Sequence, residues 1–225
     1  MKDYIFSLFL LSILISCSSP SNNNTENVQE NTIAIESSEK NSDTGTIVFF
    51  GNSLSAGYGV DPDQAFPALI QKKIDSLGLN YQVINAGLSG ETTASGKNRV
   101  DWVLKQEVDI FILELGGNDG LRGIPTKETK SNLEEIIAKV RATYPNAKII
   151  LAGMQIPPNM GGTYANDFRE VFVDLAAEMN LPLIMFLLEG VGGNPDLNLQ
   201  DGIHPNEKGH KIVAENVWRV LQKEL

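Results

Sequence analysis

His204 is one of two histidines in this 225-residue chain, and it stands in the run Asp201-Gly202-Ile203-His204-Pro205-Asn206. A histidine does acid–base work near neutral pH when a neighbouring group fixes its tautomer, and a carboxylate a few residues away can do that. Toward the other end, Gly51-Asn52-Ser53-Leu54-Ser55 offers Ser53 as a nucleophile for that base. Acyl transfer from an ester needs a nucleophile, a base to take its proton, and donors for the oxyanion. Ser53, His204 and Asp201 meet the first two needs. The N–H of Ser53, the N–H of Gly90 and the side-chain amide of Asn118 meet the third, with glycines at 90, 116 and 117 letting backbone come close to a substrate. One such donor is typically worth about 3–4 kcal/mol of transition-state stabilisation.

Each piece also has a plainer role. A serine after a strand is often a turn residue, Gly116-Gly117-Asn118-Asp119 reads equally as a turn, and a histidine before a helix is often structural. Their common placement in the fold is what favours chemistry. Apolar runs of strand length at 46–51, 81–85, 109–115, 147–152 and 181–185 alternate with helical patterns at 64–77, 94–105, 126–143, 164–179 and 206–223. Asn206 is placed to cap the last helix. Alternation with wholly apolar strands predicts an α/β fold, a three-layer α/β/α sandwich around a mainly parallel five-stranded sheet. In such sheets ligands bind beyond the carboxyl ends of the strands. Ser53, Gly90, Gly116–Asp119 and His204 all fall in loops on that edge, whereas the loops at 77–80 and 143–146 on the opposite edge are plain turns.

The remaining titratable residues have quieter expectations. His210 should pack or face solvent, Asp119 should orient its loop or cap the next segment, and Glu91 should make a loop hydrogen bond. No group of His, Cys and carboxylates has metal-ligand spacing, and no glycine-rich turn has the dinucleotide or P-loop pattern, so no metal and no cofactor is expected. The loop 156–164, together with Met185, Phe186, Leu187 and Leu188, can line an apolar groove for an acyl chain. Core packing serves the second group as well.

The amino-terminal stretch is read apart from the fold. Lys2 precedes a nearly unbroken apolar run at 4–15, too short to span a bilayer comfortably and of signal-peptide length. It ends in Leu14-Ile15-Ser16-Cys17, which resembles the lipobox of bacterial lipoproteins, with Cys17 the lipidated residue. This divides the chain into a signal peptide at 1–16, a lipidated cysteine and flexible tether at 17–45, and a folded domain at 46–225. The tether is rich in Asn, Ser and Glu and has no apolar period long enough to bury. As flexible coil it would reach roughly 30 Å. Cys17 is the sole cysteine, so no intramolecular disulfide can form. The net charge is −10, of which Glu26, Glu30, Glu36, Glu39 and Asp43 against Lys40 place −4 in the tether, leaving −6 on the domain because Lys2 and Asp3 cancel. An acidic domain without a basic stripe excludes nucleic acid as the partner class, and it leaves membrane contact to the anchor.

Four blocks, in order, resemble the SGNH or GDSL-type hydrolases. They are Gly51-Asn52-Ser53-Leu54-Ser55, Asn85-Ala86-Gly87-Leu88-Ser89-Gly90-Glu91-Thr92, Leu115-Gly116-Gly117-Asn118-Asp119-Gly120-Leu121-Arg122-Gly123, and Asp201-Gly202-Ile203-His204-Pro205-Asn206. The chain is particularly similar to the bacterial periplasmic thioesterase/lysophospholipase and arylesterase branch. The resemblance spans nearly all of 46–225. It implies a flavodoxin-like fold, with Ser53 as nucleophile, Ser53 N–H, Gly90 and Asn118 as oxyanion donors, and His204 and Asp201 as base and orienter. It also implies a monomeric serine esterase in the bacterial cell envelope, acting on short- to medium-chain acyl esters or thioesters. A carbohydrate acetylesterase, an acyltransferase of the same fold and a non-catalytic anchored binding module remain open. One departure stands out: the family's aspartate before the serine is Asn52 here, which keeps an acceptor oxygen, loses the charge and gains an NH2 donor. Asn52 is expected behind the reacting groups, as is Asp119.

Overall fold

The computed structural model describes residues 44–157 and 161–225. The expected signal peptide, the lipidation site at Cys17 and nearly all of the tether lie outside the described residues.

Five strands form one sheet: β1 (Gly45–Gly51), β2 (Tyr81–Gly87), β3 (Ile110–Glu114), β4 (Lys148–Ala152) and β5 (Leu183–Ile184). Their order across the sheet is β2-β1-β3-β4-β5, and every pairing is parallel. This is the doubly wound, flavodoxin-like order, whose strand sequence reverses between β1 and β3. At the carboxyl end Gly51 is paired with Gly87 on one side and with Glu114 on the other. β5 is shorter than the apolar run 181–185 suggests, because only two of its residues pair with β4.

The helices are α1 (Ser53–Ala56), α2 (Phe66–Ser76), α3 (Thr93–Val103), α4 (Gly117–Leu121), α5 (Thr126–Thr143), α6 (Gly162–Met179) and α7 (Glu207–Leu221). Successive side chains of a strand point to opposite faces, and β1 shows what covers each. Phe49 meets Phe66 of α2, with ring centroids 5.5 Å apart, and Phe66 in turn stacks on His210 of α7. Phe50 points the other way, against Phe111 and under the guanidinium of Arg99 in α3. α3 packs on α5 and α5 on α6, while α2 packs on α7. The sheet is therefore sandwiched between two helical layers, and Ile47 to Phe50 and Ile110 to Leu113 are shut from solvent.

Two short helices, α1 and α4, stand where the sequence places glycine-rich loops on the carboxyl edge, directly after β1 and just after β3. α2 begins two residues later than expected because Pro62–Gln64 forms a separate 3₁₀ turn and Pro67 sits in the first turn of the helix. α3 starts at a capping box in which Thr92 and Ser95 bond reciprocally. Among the described residues no helix is long and apolar enough to cross a membrane.

Candidate active site

Ser53 opens α1 immediately after β1. Its predecessor Asn52 caps the turn, with Oδ1 accepting from Leu54 N–H at 2.9 Å. As the first residue of a helix, Ser53 carries an N–H that has no intrahelical acceptor. Its hydroxyl lies 2.9 Å from His204 Nε2. The same hydroxyl is 3.4 Å from Asn52 Oδ1, a much weaker alternative.

His204 arrives from a loop that is built locally. Asp201 Oδ1 accepts the N–H groups of Ile203 and His204 at 2.9 and 3.0 Å, a turn that Gly202 allows by taking φ = 70°. The other oxygen, Oδ2, lies 2.7 Å from His204 Nδ1. Partial burial works against the charge on Asp201. The N–H bonds and the imidazole outweigh it and lower the carboxyl to about 2. An ionised Asp201 requires Nδ1 to carry the hydrogen, so Nε2 of the neutral ring is free to accept from Ser53. The base of this loop is pinned by Asn206. Its Oδ1 caps α7 at Lys208 and Gly209, and its Nδ2 donates to the carbonyls of Asp196 and Asn198. Tyr58 leans over the imidazole, with ring centroids 4.6 Å apart.

The expected oxyanion donors sit on the same edge. The loop after β2 is tied to the end of β1 by Leu88 N–H donating to Gly51 O at 2.9 Å. Gly90 takes φ = 80°, and its carbonyl accepts from Arg122 at 3.1 Å. Asn118, in α4, spends one amide hydrogen on Glu91 O at 3.0 Å, and the amide has a second hydrogen to offer. The structure thus links Gly90 and Asn118 through Glu91 and Arg122, and links Ser53, His204 and Asp201 through direct bonds.

Buried acids hold these loops. Asp119 is fully buried and accepts from the N–H and hydroxyl of Thr93, joining α4 to the start of α3. Burial raises its pKa, and the bonds from Thr93 pull against that. Glu91 is buried in an ion pair with Arg99, whose guanidinium also donates to Ala86 O. That is more than the loop hydrogen bond expected of Glu91. Glu114, the last residue of β3, is fully buried and accepts from Asn52 N–H (3.1 Å), Asn52 Nδ2 (2.7 Å), Ser55 N–H (3.1 Å) and Ser55 Oγ (2.7 Å). Sequence reasoning missed Glu114, Arg99 and Tyr58. For Glu114 the only trace in the sequence is one acid ending an otherwise apolar strand, two residues before Gly116-Gly117, and it carries no periodicity.

Other expectations resolve differently. His210 is buried, its Nδ1 accepts from Phe66 N–H at 3.2 Å, and burial lowers it to about 4, so it is a neutral core residue. In the expected acyl groove, Leu187 and Ile156 belong to the core, whereas Met185 is 61 % exposed. Their burial assigns the first two to packing, the alternative role the sequence left open for Leu187. Residues 158–160 of that loop lie outside the described residues. Among the described residues no three His, Cys, Asp or Glu side chains form a metal-binding group.

Known proteins resemble this chain over most of its length. The model of the GDSL-like lipase/acylhydrolase family matches residues 49–212. The chain is 40 % identical to the esterase TesA of Pseudomonas aeruginosa over 79 % of this chain and 88 % of that one. It is 38 % identical to the thioesterase 1/protease 1/lysophospholipase L1 of Escherichia coli over 79 % of this chain and 83 % of the other. A crystal structure of TesA superposes with a TM-score of 0.77 at 40 % identity, covering 80 % of this chain and 99 % of that one.

Proposed function

The chain belongs to the GDSL-like lipase/acylhydrolase family, and from that premise and the site geometry we propose that it is a serine esterase working through an acyl-enzyme on Ser53. The observation that carries this reading is the continuous chain from Ser53 Oγ to His204 Nε2 (2.9 Å) and from His204 Nδ1 to Asp201 (2.7 Å). Ser53 Oγ attacks the acyl carbonyl while His204 Nε2 takes its proton, and Asp201 stabilises the imidazolium. The oxyanion is received by Ser53 N–H, Gly90 N–H and the second hydrogen of the Asn118 amide. His204 then gives its proton to the departing alcohol or thiol. Water repeats the sequence and frees Ser53.

Short- to medium-chain acyl esters or thioesters are the substrate class. Relatives that bear the names esterase and thioesterase/lysophospholipase support it. The test is kcat/KM on p-nitrophenyl esters of increasing acyl length, beside Ser53→Ala. A length optimum abolished by the substitution is expected. Equal rates for both proteins would overturn the reading.

The domain is held at the bacterial cell envelope by a lipid on Cys17, with 1–16 removed and 17–45 as tether. The apolar run at 4–15 ending in Ser16 before the sole cysteine supports this. Cys17→Ala should release the protein from the membrane fraction; a variant that still sediments with membranes would refute the anchor.

A further inference from the structure

Glu114 has no part in the steps above, yet the four hydrogen bonds its carboxyl group accepts all come from the turn that carries the nucleophile. Room is cleared for it. A Cβ on Gly51 would collide with Glu114 Oε2 and with the Ser55 hydroxyl. Burial pushes the carboxyl up to about 7, and the bonds from Ser55 and Asn52 pull against that.

The consequence lies in the Asn52 amide. Once ionised, above about pH 7, the Glu114 carboxylate only accepts hydrogen bonds, so Oε1 at 2.7 Å then requires the NH2 end of Asn52 to face it. The carbonyl end is thereby turned the other way, where it caps Leu54 N–H and faces the Ser53 hydroxyl. With the amide reversed, an NH2 group would meet the Leu54 N–H, donor against donor, and the cap of the nucleophile turn would be lost. We propose that Glu114 is a positioning residue for Ser53, acting through Asn52, whose amide orientation it selects. The inference rests on the reading of Ser53 as nucleophile. It also gives the departure at position 52 a physical content. With glutamate at 114, asparagine at 52 is the complementary neutral partner, and an acid and an amide form a matched pair whichever position holds which.

That matching is testable because it can be inverted. Glu114→Gln keeps the shape and adds an NH2. Placed at Oε2, that NH2 meets two backbone N–H groups. Placed at Oε1, it meets the Asn52 NH2 and forces the amide to turn over. Either way a buried donor is left unpaired. Adding Asn52→Asp repairs the second arrangement. One oxygen of the new carboxylate accepts from the amide introduced at position 114, and the other caps Leu54.

The experiment compares the native protein, Glu114→Gln and Asn52→Asp/Glu114→Gln at a pH above the Glu114 pKa of about 7, where the native carboxylate is ionised. It measures the rate at which a p-nitrophenyl alkylphosphonate labels Ser53, together with kcat and KM on a p-nitrophenyl ester. In the labelling, Ser53 Oγ bonds to phosphorus, p-nitrophenolate leaves, and His204 takes the hydroxyl proton. Glu114→Gln should lower labelling and kcat by about tenfold or more, with KM changed by less than about twofold, the pattern of an interaction lost from the transition state. The double substitution should return both to within about threefold of native, a coupling that packing alone would not give. If Glu114→Gln does not fold, a folded, labelling double variant supports the proposal, and an equally unfolded one overturns it. Native-like labelling of Glu114→Gln, or a double variant no faster than the single, overturns this inference alone. A native protein that neither labels nor hydrolyses overturns the esterase reading and the inference with it.

Discussion

Asp201 and Glu114 both bear on the serine turn, one through His204 and one directly, and they differ in almost every physical respect. Asp201 is on an exposed loop, bonds groups two and three residues away, and is lowered to about 2. Glu114 is fully buried, bonds groups 59 and 62 residues away, and is raised to about 7. Asp201 faces an imidazole that gains a positive charge during the reaction, whereas the four groups that bond Glu114 are neutral donors. A charge needed only during the reaction can sit where solvent helps to keep it ionised. A carboxyl that sets geometry gains by burial, because burial makes each unpaired donor costly and so enforces one arrangement.

The comparison predicts that the two acids fail differently. Asp201→Asn is the larger test of activity. The amide can hold His204 through its oxygen but cannot stabilise the imidazolium as a carboxylate does, and it can select the wrong tautomer. A fall in kcat of about 10³–10⁴-fold is expected from the behaviour of such triads, with a loss in urea unfolding of about 1–2 kcal/mol, because the amide oxygen can still accept the two N–H bonds but more weakly than a carboxylate does. A variant that kept native kcat would break the assignment of Asp201 as orienter. Loss of stability with unchanged kcat in the folded fraction would move Asp201 to the structural side of the comparison.

Glu114→Ala reverses the pattern. It leaves the Asn52 and Ser55 donors facing a cavity, and unsatisfied buried donors cost about 1–3 kcal/mol each. Water entering the cavity can serve some of them, so the expected loss is on the order of 3–5 kcal/mol. Urea unfolding monitored by Trp102 and Trp218 fluorescence measures it. A loss below about 1 kcal/mol would mean that the turn holds itself, and the contrast between the two acids would collapse into one of distance.

The same contrast explains what could be read from the sequence. Strands β1, β3 and β4 are mostly apolar runs buried on both faces, so their type follows from pattern alone. Asp201, His204 and the Asn206 cap interact within a few residues, and their spacing is visible in the chain. Ser53 and His204 lie 151 residues apart and were legible only because parallel strands gather their following loops on one edge. Glu114 was not legible in that way. Its partners follow a different strand, and a single acid at a strand end has no periodicity to mark it. Part of the expected acyl groove was misread for a related reason. Apolar residues in a loop look alike whether they line a cleft or fill the core, and Leu187 fills the core.

The smallest effect separates Glu114 from another buried titratable side chain, His210, through the pH dependence of stability. The unfolded chain protonates histidine near 6.5, but buried His210 stays neutral to about 4. Between those values the unfolded state binds more protons. The contribution of His210 is therefore present above about pH 6.5 and is lost as pH falls toward 4. Glu114 has the opposite sign. Its unfolded carboxyl ionises near 4.5, while the native one holds its proton to about 7. Its contribution is present below about pH 4.5 and is lost as pH rises through 7. Asp119, also raised, adds to that sign at the acid end. Each slope is at most about 1.4 kcal/mol per pH unit. Because the windows overlap, the native protein should show less change in urea-unfolding free energy between pH 4.5 and 7 than either variant. Glu114→Gln should leave a profile that gains stability with rising pH, and His210→Gln one that loses it. Parallel profiles in all three proteins would show that the two buried groups do not titrate against the unfolded chain in this range. The bonds around Glu114 would then hold its carboxylate ionised throughout, as the bonds around Asp201 hold that one.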